Sequence, residues 1–440
     1  MVSKQKEELS SENADIVIVG GGLAGLSMAS ALSQLPLHIA VIETANSPLN
    51  DSSIVQSANA SYSPSFDDRA LALSLASIKI LKNIGVLQQT DIESCTPIEH
   101  IHVSDKGHLG MLRMAAKEVG EANLGRVIPA PLLGQKLAEF LAKSDYAANI
   151  TVFDQSEVTQ VRHYTEHAAV NVSSNNVKRV INCQTVILAD GGRSNIAESM
   201  GLIAKTTDYQ QVGILANVGV DRGHQDIAYE RFTDTGPLAL LPLRRNEFKL
   251  VWTVKPERQA ELLEMNDAQF LAALQQRFGY RAGAFNKVSR RVSYPMKANE
   301  RSQIVAGRIA LIGNAAHSLH PIAGQGFNLG LRDVACLAEV FANQLQNKCD
   351  LGDVSALLHY QSLRQEDIHR TAAFTDQLVK CFSTSVKPIA MIRTVGLLAL
   401  DRQPVFKRQL MRKLMGVSGQ QFKLLTGQPL VSDYSDGRVA

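Results

Sequence analysis

The sequence predicts an α/β protein with a parallel sheet, a second and mostly antiparallel sheet, and helices at the end of the chain. Three observations predict it. A buried strand at residues 15–19 runs directly into a glycine-rich turn and a helix. Alternating strand patterns fill residues 210–294, and helical periodicity dominates after Leu329. Strands that alternate with helices are typical of a parallel sheet, so two kinds of layer are expected.

Composition limits the class of protein. With 440 residues, 45% of them hydrophobic, the chain is long enough for two or three domains with packed cores. Its 45 basic and 42 acidic side chains leave a net charge of +3, which argues against a nucleic-acid binder. Five cysteines without a CxxC pair indicate a reducing compartment. Residues 1–14 lack the apolar core of a secretory signal, so we expect a cytoplasmic protein.

The first βαβ unit carries the clearest motif. Residues 15–19 form a β-branched strand, residues 26–35 are predicted as a helix and residues 37–42 as the next strand. Between them, Gly20 permits a tight turn, Gly22 lets the backbone approach a pyrophosphate, and Gly25 lets helix and sheet pack closely.

Glu43 follows the second strand, where a carboxylate binds both ribose hydroxyls of an adenosine and repels a 2′-phosphate. FAD or NAD therefore fits better than NADP. The alternative is a glycine turn that serves packing alone.

The remaining elements are less regular. Residues 43–66 are predicted as a loop and residues 70–84 as a helix. Strands are expected at residues 150–153, 168–172, 185–189 and 308–312, and the antiparallel layer surrounds a helix at residues 267–278.

A second glycine-rich segment decides between the dinucleotides. Residues 313–330 read as a turn, a glycine-rich loop and a helix that follow a buried strand. A second backbone cradle about 290 residues after the first suits a long extended cofactor that rests on both. The sequence therefore predicts FAD.

These motifs carry a family resemblance. The glycine turn at residues 20–25, Asp68-Arg69-Ala70, Asp190-Gly191 and residues 313–330 resemble, in order and spacing, the FAD-dependent aromatic hydroxylases. Residues 102–108, 230–233, 236–242 and 320–330 are similar to the ubiquinone-biosynthesis branch of that family. The resemblance covers residues 14–400. It implies a Rossmann-like FAD-binding domain, a mostly antiparallel substrate domain and C-terminal helices.

The resemblance also implies roles for individual residues. Arg69 would contact the flavin, with a surface salt bridge as the alternative, and Gln135 would touch the ribityl chain or lie on a solvated helix face. Asp190 would bind flavin, or serve as a helix N-cap. The family has an arginine seven residues after this aspartate, where this chain has Ala197. The predicted cofactor-binding residues are Gly20, Gly22, Gly25, Glu43, Arg69, Gln135, Asp190, Gly313, Asn314, Pro321, Gly324 and Gly326.

Two histidines and the catalytic groups complete the expected site. His317 and His320 lack a carboxylate or cysteine at ligand spacing, so no metal is predicted. Asn314 replaces the usual aspartate of the family, and Pro321, Gly324 and Gly326 would shape the backbone that faces the flavin ring. No catalytic acid or base is predicted, because the cofactor performs the difficult step.

The implied activity is that of a monooxygenase. NAD(P)H would reduce FAD, dioxygen would form a flavin C4a-hydroperoxide, and a polyprenylated phenol of ubiquinone biosynthesis, most closely 2-polyprenyl-6-methoxyphenol, would be hydroxylated. The alternatives are another ring hydroxylase of the same pathway, a non-oxygenating flavin reductase, and a silent flavin-binding scaffold. Membership of a ubiquinone-biosynthesis complex is compatible with each.

The substrate and its source lead to two further expectations. Residues 102–108, 213–218 and 231–242 are apolar enough to form a substrate wall, although any half-buried sheet has this composition. Residues 387–413 mix seven basic residues with apolar ones and a single acidic residue, Asp401. That composition suits a helix that lies on an anionic membrane, peripheral at the inner membrane, or docks to a partner. It equally suits a helix packed on the protein's own body.

The motifs divide the chain into six segments. The FAD-binding domain is assigned residues 14–96, 118–206 and 301–345, and the substrate domain residues 97–117 and 207–300. Residues 346–440 form a C-terminal helical region.

Overall fold

The computed structural model describes residues 10–46, 70–143, 147–174, 177–320, 322–382 and 387–431. The strands are β1 Ser10–Asn13, β2 Ile16–Val19, β3 Ile39–Ile42, β4 Ala70–Ser74, β5 Thr96–Ile98, β6 His100–Asp105, β7 Met111–Ala115, β8 Gly125–Pro129, β9 Ile150–Phe153, β10 Ser156–His163, β11 Ala168–Ser174, β12 Val177–Cys183, β13 Thr185–Leu188, β14 Ala204–Val220, β15 Ile227–Thr233, β16 Gly236–Pro242, β17 Glu247–Val254, β18 Phe285–Val288, β19 Val292–Arg301, β20 Val305–Ala306, β21 Ile309–Leu311 and β22 His317–Ser318. The helices are α1 Leu23–Leu32, α2 Leu75–Ile84, α3 Gln89–Ser94, α4 Ala130–Leu141, α5 Ile196–Ser199, α6 Gln259–Glu264, α7 Asp267–Phe278, α8 Gln325–Gln346, α9 Val354–Phe382, α10 Lys387–Arg402, α11 Pro404–Leu414 and α12 Lys423–Thr426.

A six-stranded sheet forms the nucleotide-binding layer. Its order is β20-β21-β13-β2-β3-β9, and every pair except β20–β21 is parallel. The residues of β2 and β3 are all buried, as expected for strands covered on both faces. Helix α1 packs against α4 and α8. The predicted βαβ unit is confirmed, with a helix that begins three residues earlier than expected.

One predicted helix is wrong over its first turn. Residues 70–74 form strand β4, which pairs antiparallel with β8, and the helix begins only at Leu75. The segment Ala-Leu-Ala-Leu-Ser alternates with period two, and its pairing with β8 outweighs the helix propensity of Ala and Leu. Ser74 is the N-cap of α2, and its hydroxyl accepts a hydrogen bond from the N–H of Ser77 at 3.3 Å.

A nine-stranded sheet forms the second layer. Its order is β22-β19-β14-β17-β16-β15-β6-β7, with β18 paired to β14. All pairs are antiparallel except β15–β6, so the predicted antiparallel layer is confirmed. Helix α7 has the predicted bounds and is capped by Asn266. Its Phe270 and Phe278 cover one face of the sheet together with Trp252, which leaves the other face for the cofactor layer.

Sheet membership supports the proposed division into two domains. We propose that residues 97–117 and 207–300 form the substrate domain, because β6 and β7 pair into the same sheet as β14–β19. The parallel sheet takes its strands from residues 16–42, 150–153, 185–188 and 305–311. Two smaller sheets have the orders β1-β12-β11-β10 and β4-β8-β5. Strand β5 pairs with β8 and not with the nine-stranded sheet, so residues 97–98 fit the first domain better than the second.

The C-terminal basic segment is two helices, which corrects the picture of one continuous amphipathic helix. Helices α10 and α11 are separated by Gln403, and Pro404 begins the second. Arg393 and Lys407 are buried: Arg393 pairs with Asp105 at 2.7 Å and Lys407 with Glu118 at 2.8 Å. The segment therefore packs on the protein body through one face. No helix in the described ranges is long and apolar enough to span a bilayer.

The buried pair that holds α10 to the second sheet yields a prediction. Asp105 and Arg393 are 3% and 4% exposed at the side chain, so Asp105→Asn leaves a buried guanidinium without its counter-charge. We expect a loss of about 3 kcal/mol in the free energy of unfolding, measured by urea denaturation. The double variant Asp105→Leu, Arg393→Met should recover much of this loss.

The matched control is an exposed pair. Glu261→Gln removes the partner of Arg258, and both side chains are about half exposed. That change should cost less than about 1 kcal/mol. Equal losses for the two pairs would contradict the anchoring role of Asp105.

Candidate cofactor and substrate site

The carboxyl ends of four parallel strands meet at one edge of the six-stranded sheet. Val19 pairs with Ile42 and with Leu188, and Leu188 pairs with Leu311. The segments that follow these strands therefore lie side by side. They carry Gly20, Glu43, Asp190 and Gly313, and all four line a single cleft of about 1430 Å³. Ligands of open α/β sheets bind at this edge.

The first glycine turn is sterically constrained. Gly20 has φ of +106°, and a Cβ there would lie 2.7 Å from the carbonyl oxygen of Ala189. A Cβ on Gly25 would lie 1.9 Å from the carbonyl oxygen of Gly20, so this glycine serves close packing beneath the turn. Gly22 is the N-cap of α1 and provides no side-chain cap. The first N–H groups of the helix therefore remain available to an anion in the cleft.

Glu43 is held in place by the turn it faces. One carboxylate oxygen, Oε2, accepts a hydrogen bond from the N–H of Gly21 at 2.7 Å. The other, Oε1, accepts from the N–H of Ala45 at 3.0 Å. The hydroxyl of Thr44 also donates to Oε1, at 3.2 Å. A carboxylate has about four acceptor positions, so its orientation is fixed by three bonds while about one position remains for a ribose hydroxyl.

Asp190 stabilises its own turn. Its carboxylate accepts hydrogen bonds from the N–H groups of Gly192 at 2.9 Å and Ser194 at 3.0 Å, and from the Ser194 hydroxyl. The N-cap of α5 is Asn195, so Asp190 is not a helix cap. Ala197, where the family has an arginine, is 5% exposed and packs in the main core. An arginine at this position would need a different local packing.

The second loop lines the same cleft beside the first turn, since a Cβ on Gly313 would lie 3.1 Å from that of Ala24 in α1. Gly313 has φ of +58°, Gly324 has φ of +61°, and Gly324 is the N-cap of α8. A Cβ on Gly324 would lie 3.2 Å from that of Ala72, whereas a Cβ on Gly326 would meet no protein atom within 4 Å. Gly326 therefore borders open space in the cleft, as a residue that faces a planar ring must.

A buried charge network holds the second loop, and the sequence analysis missed it. Asp333 Oδ2 accepts the N–H of Gly313 at 3.0 Å and lies 2.6 Å from His317 Nε2. Its Oδ1 accepts a hydrogen bond from Arg364 Nε at 2.8 Å. Burial alone would raise the pKa of Asp333, but His317 and Arg364 outweigh it and hold this pKa below its ordinary value.

Asn328 makes a second connection that was missed, although it lies within the motif at residues 320–330. Its Oδ1 accepts from the N–H of Ser74 at 2.8 Å and from the Ser77 hydroxyl at 2.7 Å. Its Nδ2 donates to the carbonyl oxygens of Ala72 at 2.9 Å and Gly324 at 2.7 Å. One amide thus joins β4, α2 and the glycine loop.

The other predicted site residues have mixed outcomes. Gln135 and Asn314 line the cleft, and Gln135 Nε2 also donates to Glu139 Oε1 at 2.8 Å. Arg69 and Pro321 lie outside the described residues, as does most of the predicted loop at residues 43–66. Their contacts with a cofactor stay predictions.

The exposed face of the nine-stranded sheet forms the far wall of the cleft. Leu215, Val251 and Ala239 lie in one cross-strand row that ends at Glu230, and all line the cleft. The next row adds Leu241, Lys249 and Asn217. The wall thus combines the apolar Leu215, Val251, Ala239 and Leu241 with three polar side chains, and such a mixture is typical of small-molecule sites.

One part of the predicted substrate wall is wrong. None of residues 102–108 is among the described residues that line the cleft. His102 packs near Tyr229, with ring centroids 5.7 Å apart, and Tyr229 belongs to the core on the opposite face of the sheet. Burial and the nearby Arg281 lower the pKa of His102. Neighbouring residues of a strand face opposite sides, and here both sides are covered: Val103 packs in the apolar cluster of Phe382 and Leu397, and Asp105 pairs with Arg393 of α10.

The two histidines have packed partners. His317 contacts Asp333, while His320 Nε2 lies 3.3 Å from Gln211 Oε1 and its ring meets Tyr209 edge-on at 4.9 Å. His320 is fully buried, and burial lowers its pKa to about 4. It therefore stays neutral in the folded protein at neutral pH.

These residues fit FAD. The uncapped N-terminus of α1 suits a pyrophosphate, Glu43 suits the adenosine ribose, and the open space beside Gly326 suits the flavin ring. A second glycine-rich segment, with Gly324 and Gly326, lines the same cleft as the first and provides further backbone for an extended cofactor.

Comparison with known proteins agrees with this fit. The family model for the FAD binding domain matches residues 13–375. The ubiquinone hydroxylase UbiL of Rhodospirillum rubrum is 33% identical over 95% of this chain and 94% of its own length. The 3-demethoxyubiquinol 3-hydroxylase of Escherichia coli is 29% identical over 93% of this chain and all of its own.

A solved structure shows the same fold. The p-nitrophenol 4-monooxygenase PnpA of Pseudomonas putida superposes with a TM-score of 0.72 at 16% identity, over 94% of this chain and all of its own. The fold, the site and the relatives define an FAD-dependent monooxygenase. The chain belongs to the FAD-dependent aromatic hydroxylase family, in its ubiquinone-biosynthesis branch.

Two glycines give contrasting predictions. Gly25→Ala places a Cβ against the backbone of Gly20 and should lower the free energy of unfolding by about 3 kcal/mol or more.

The methyl group added by Gly326→Ala meets no protein atom, so the FAD-free protein should keep its stability. FAD affinity should fall at least about tenfold, because the methyl group enters the space of the flavin ring. Urea denaturation and flavin absorbance titration measure the two effects. Normal FAD binding by Gly326→Ala would remove Gly326 from the predicted site.

His320 predicts a pH dependence of stability. As pH falls from 7 to 5, the unfolded histidine takes up a proton near pH 6.5 but the folded one does not, so stability falls with pH. Between these pH values the FAD-free protein should lose about 2 kcal/mol through this group. In His320→Gln, the free energy of unfolding should fall by about 2 kcal/mol less between pH 7 and pH 5 than in the unsubstituted protein. His359→Gln, at an exposed position, should leave it unchanged, and identical profiles for all three proteins would disprove the assignment.

Proposed function

We propose that this protein hydroxylates the ring of a polyprenylated phenol in ubiquinone biosynthesis, with dioxygen and NAD(P)H as co-substrates. The single observation that carries the proposal is the shape of the cleft. Two glycine cradles that fit FAD face an apolar sheet wall containing Leu215, Ala239 and Val251. A phenol placed against this wall lies between the sheet and the cofactor ring.

The chemistry divides between cofactor and chain. Bound FAD, once reduced by a nicotinamide donor, supplies the activation of dioxygen. The chain positions the substrate and excludes water from it: the sheet wall orients the phenol ring, and the apolar residues of the wall keep water away. The polar residues Asn217, Glu230 and Lys249 lie among these apolar ones, so we propose that they orient the phenolic oxygen.

The resemblance and the relatives also support a proposal for the particular substrate. The motifs in the chain favour 2-polyprenyl-6-methoxyphenol. The Escherichia coli relative is named a 3-demethoxyubiquinol 3-hydroxylase, so a prenylated ring at that later oxidation state is the second candidate. Both share a polar ring and an apolar tail, and such a tail partitions into lipid. We therefore also propose that the enzyme collects its substrate at a membrane surface.

The substrate wall provides a direct test. Ala239→Phe fills the space beside Val251 and Leu215, so FAD should stay bound while hydroxylated product falls at least about 100-fold. NAD(P)H oxidation should then release hydrogen peroxide instead. The assay uses the purified FAD-loaded protein with each prenylated phenol in turn, and mass spectrometry identifies the product and ring position.

The control is an exposed alanine. Ala260→Phe lies on α6 away from the cleft and should leave product formation unchanged. Reduction of the prenyl double bonds without oxygen uptake would replace the proposal by the reductase alternative. Absence of any NAD(P)H oxidation would replace it by the scaffold alternative, and a product from only one phenol identifies the substrate.

A further inference from the structure

Helices α10 and α11 present an apolar surface away from the protein body. Five apolar residues on these helices are between 57% and 73% exposed, and Leu109 in the β6–β7 turn is 81% exposed. The turn lies against α10, because a Cβ on Gly110 would lie 3.0 Å from the Cα of Thr394. We call this surface the outer face. It comprises Leu109, Met391, Ile392, Val395, Val405 and Phe406.

Positive charge surrounds the outer face. Arg402, Arg408, Arg412 and Lys413 are all exposed on the same two helices. The only acidic residue in the sequence of residues 387–414 is Asp401, which is 15% exposed at its side chain and accepts a hydrogen bond from the backbone N–H of Arg113. The exposed charge of this segment is therefore entirely basic.

The inner side of the helices is fixed to the body. The buried ion pairs of Arg393 and Lys407 hold α10 and α11 against the second sheet. Leu397 and Met411 share one apolar cluster with Ile322. Ile322 lies two residues before Gly324, in the second glycine-rich loop, which we call the cofactor loop. The helices that carry the outer face thus also form the wall behind that loop.

We propose that the outer face docks on an anionic lipid surface. Exposed apolar side chains flanked by guanidinium and ammonium groups match the boundary between acyl chains and phosphate headgroups. A second copy of the chain suits the face less well, because a two-fold contact would bring the basic residues of one copy close to the basic residues of the other. An acidic protein would satisfy the cations but leave six apolar side chains to be matched.

The proposal deepens the membrane-surface role proposed above, and it rests on that role. It places the lipid boundary next to the wall of the cofactor loop, so a tail that extends from the cleft has a short route to the acyl chains. The hydroxylation itself is not needed for docking. The two proposals therefore fail separately.

Vesicle co-sedimentation of the full-length protein tests the docking. The probes are vesicles of phosphatidylcholine mixed with phosphatidylglycerol and vesicles of phosphatidylcholine alone. Binding should be strong to the mixed vesicles, weak to the neutral ones, and reduced by high salt. Arg408→Gln with Arg412→Gln should weaken binding to the mixed vesicles about 30-fold, since each cation near an anionic surface contributes about 1 kcal/mol. Val405→Ser with Phe406→Ser should weaken binding to both compositions.

Matched controls lie on other faces. Arg162→Gln and Ile203→Ser also change an exposed cation and an exposed apolar residue, and both should leave vesicle binding unchanged. Hydroxylation of a short-chain phenol without vesicles should be the same in all variants. Equal binding by the outer-face variants and the controls would overturn the proposal. So would a dimer, seen by sedimentation velocity, that dissociates in the outer-face variants while vesicle binding persists.

Discussion

The site depends on one buried carboxylate. Asp333 is fully buried on α8, yet it accepts hydrogen bonds from Gly313 of the preceding loop and from Arg364 of α9, and it contacts His317. An unpaired charge in this position would be very costly, so the partners must be present together. The carboxylate thereby fixes two helices to a glycine turn whose left-handed backbone would otherwise be free to relax.

The consequence is a cleft whose two turns are held in place by the protein's own side chains. Gly313 is held from below by Asp333, and Gly324 is held by the amide of Asn328, which also bonds to Ala72 and Ser74. The backbone of both turns is therefore oriented by side chains that do not face the cofactor themselves. Preformed sites bind with a smaller ordering cost, and this arrangement explains why polar residues are buried beside the loop.

Local signals predicted the glycine turns, β2, β3 and α7, because each depends on residues adjacent in sequence. The strand at residues 70–74 was missed because its partner, β8, lies about fifty residues away. The role of Asp333 was hidden since an acidic residue on an amphipathic helix normally faces solvent. The burial of Arg393 and Lys407 could not be separated from the rest of the basic segment at residues 387–413 for a similar reason. Their partners, Asp105 and Glu118, are distant in sequence.

The two sheets contribute different kinds of groups to the cleft. The parallel sheet supplies backbone N–H groups and a carboxylate, groups that suit phosphates and ribose. The antiparallel sheet supplies Leu215, Ala239 and Val251 with Asn217, Glu230 and Lys249 nearby. Such a wall distinguishes ligands by the position of one polar group on an apolar body. A single substitution in this wall therefore alters the surface offered to a ligand without disturbing the cofactor turns, whereas Gly20 and Gly25 are sterically constrained.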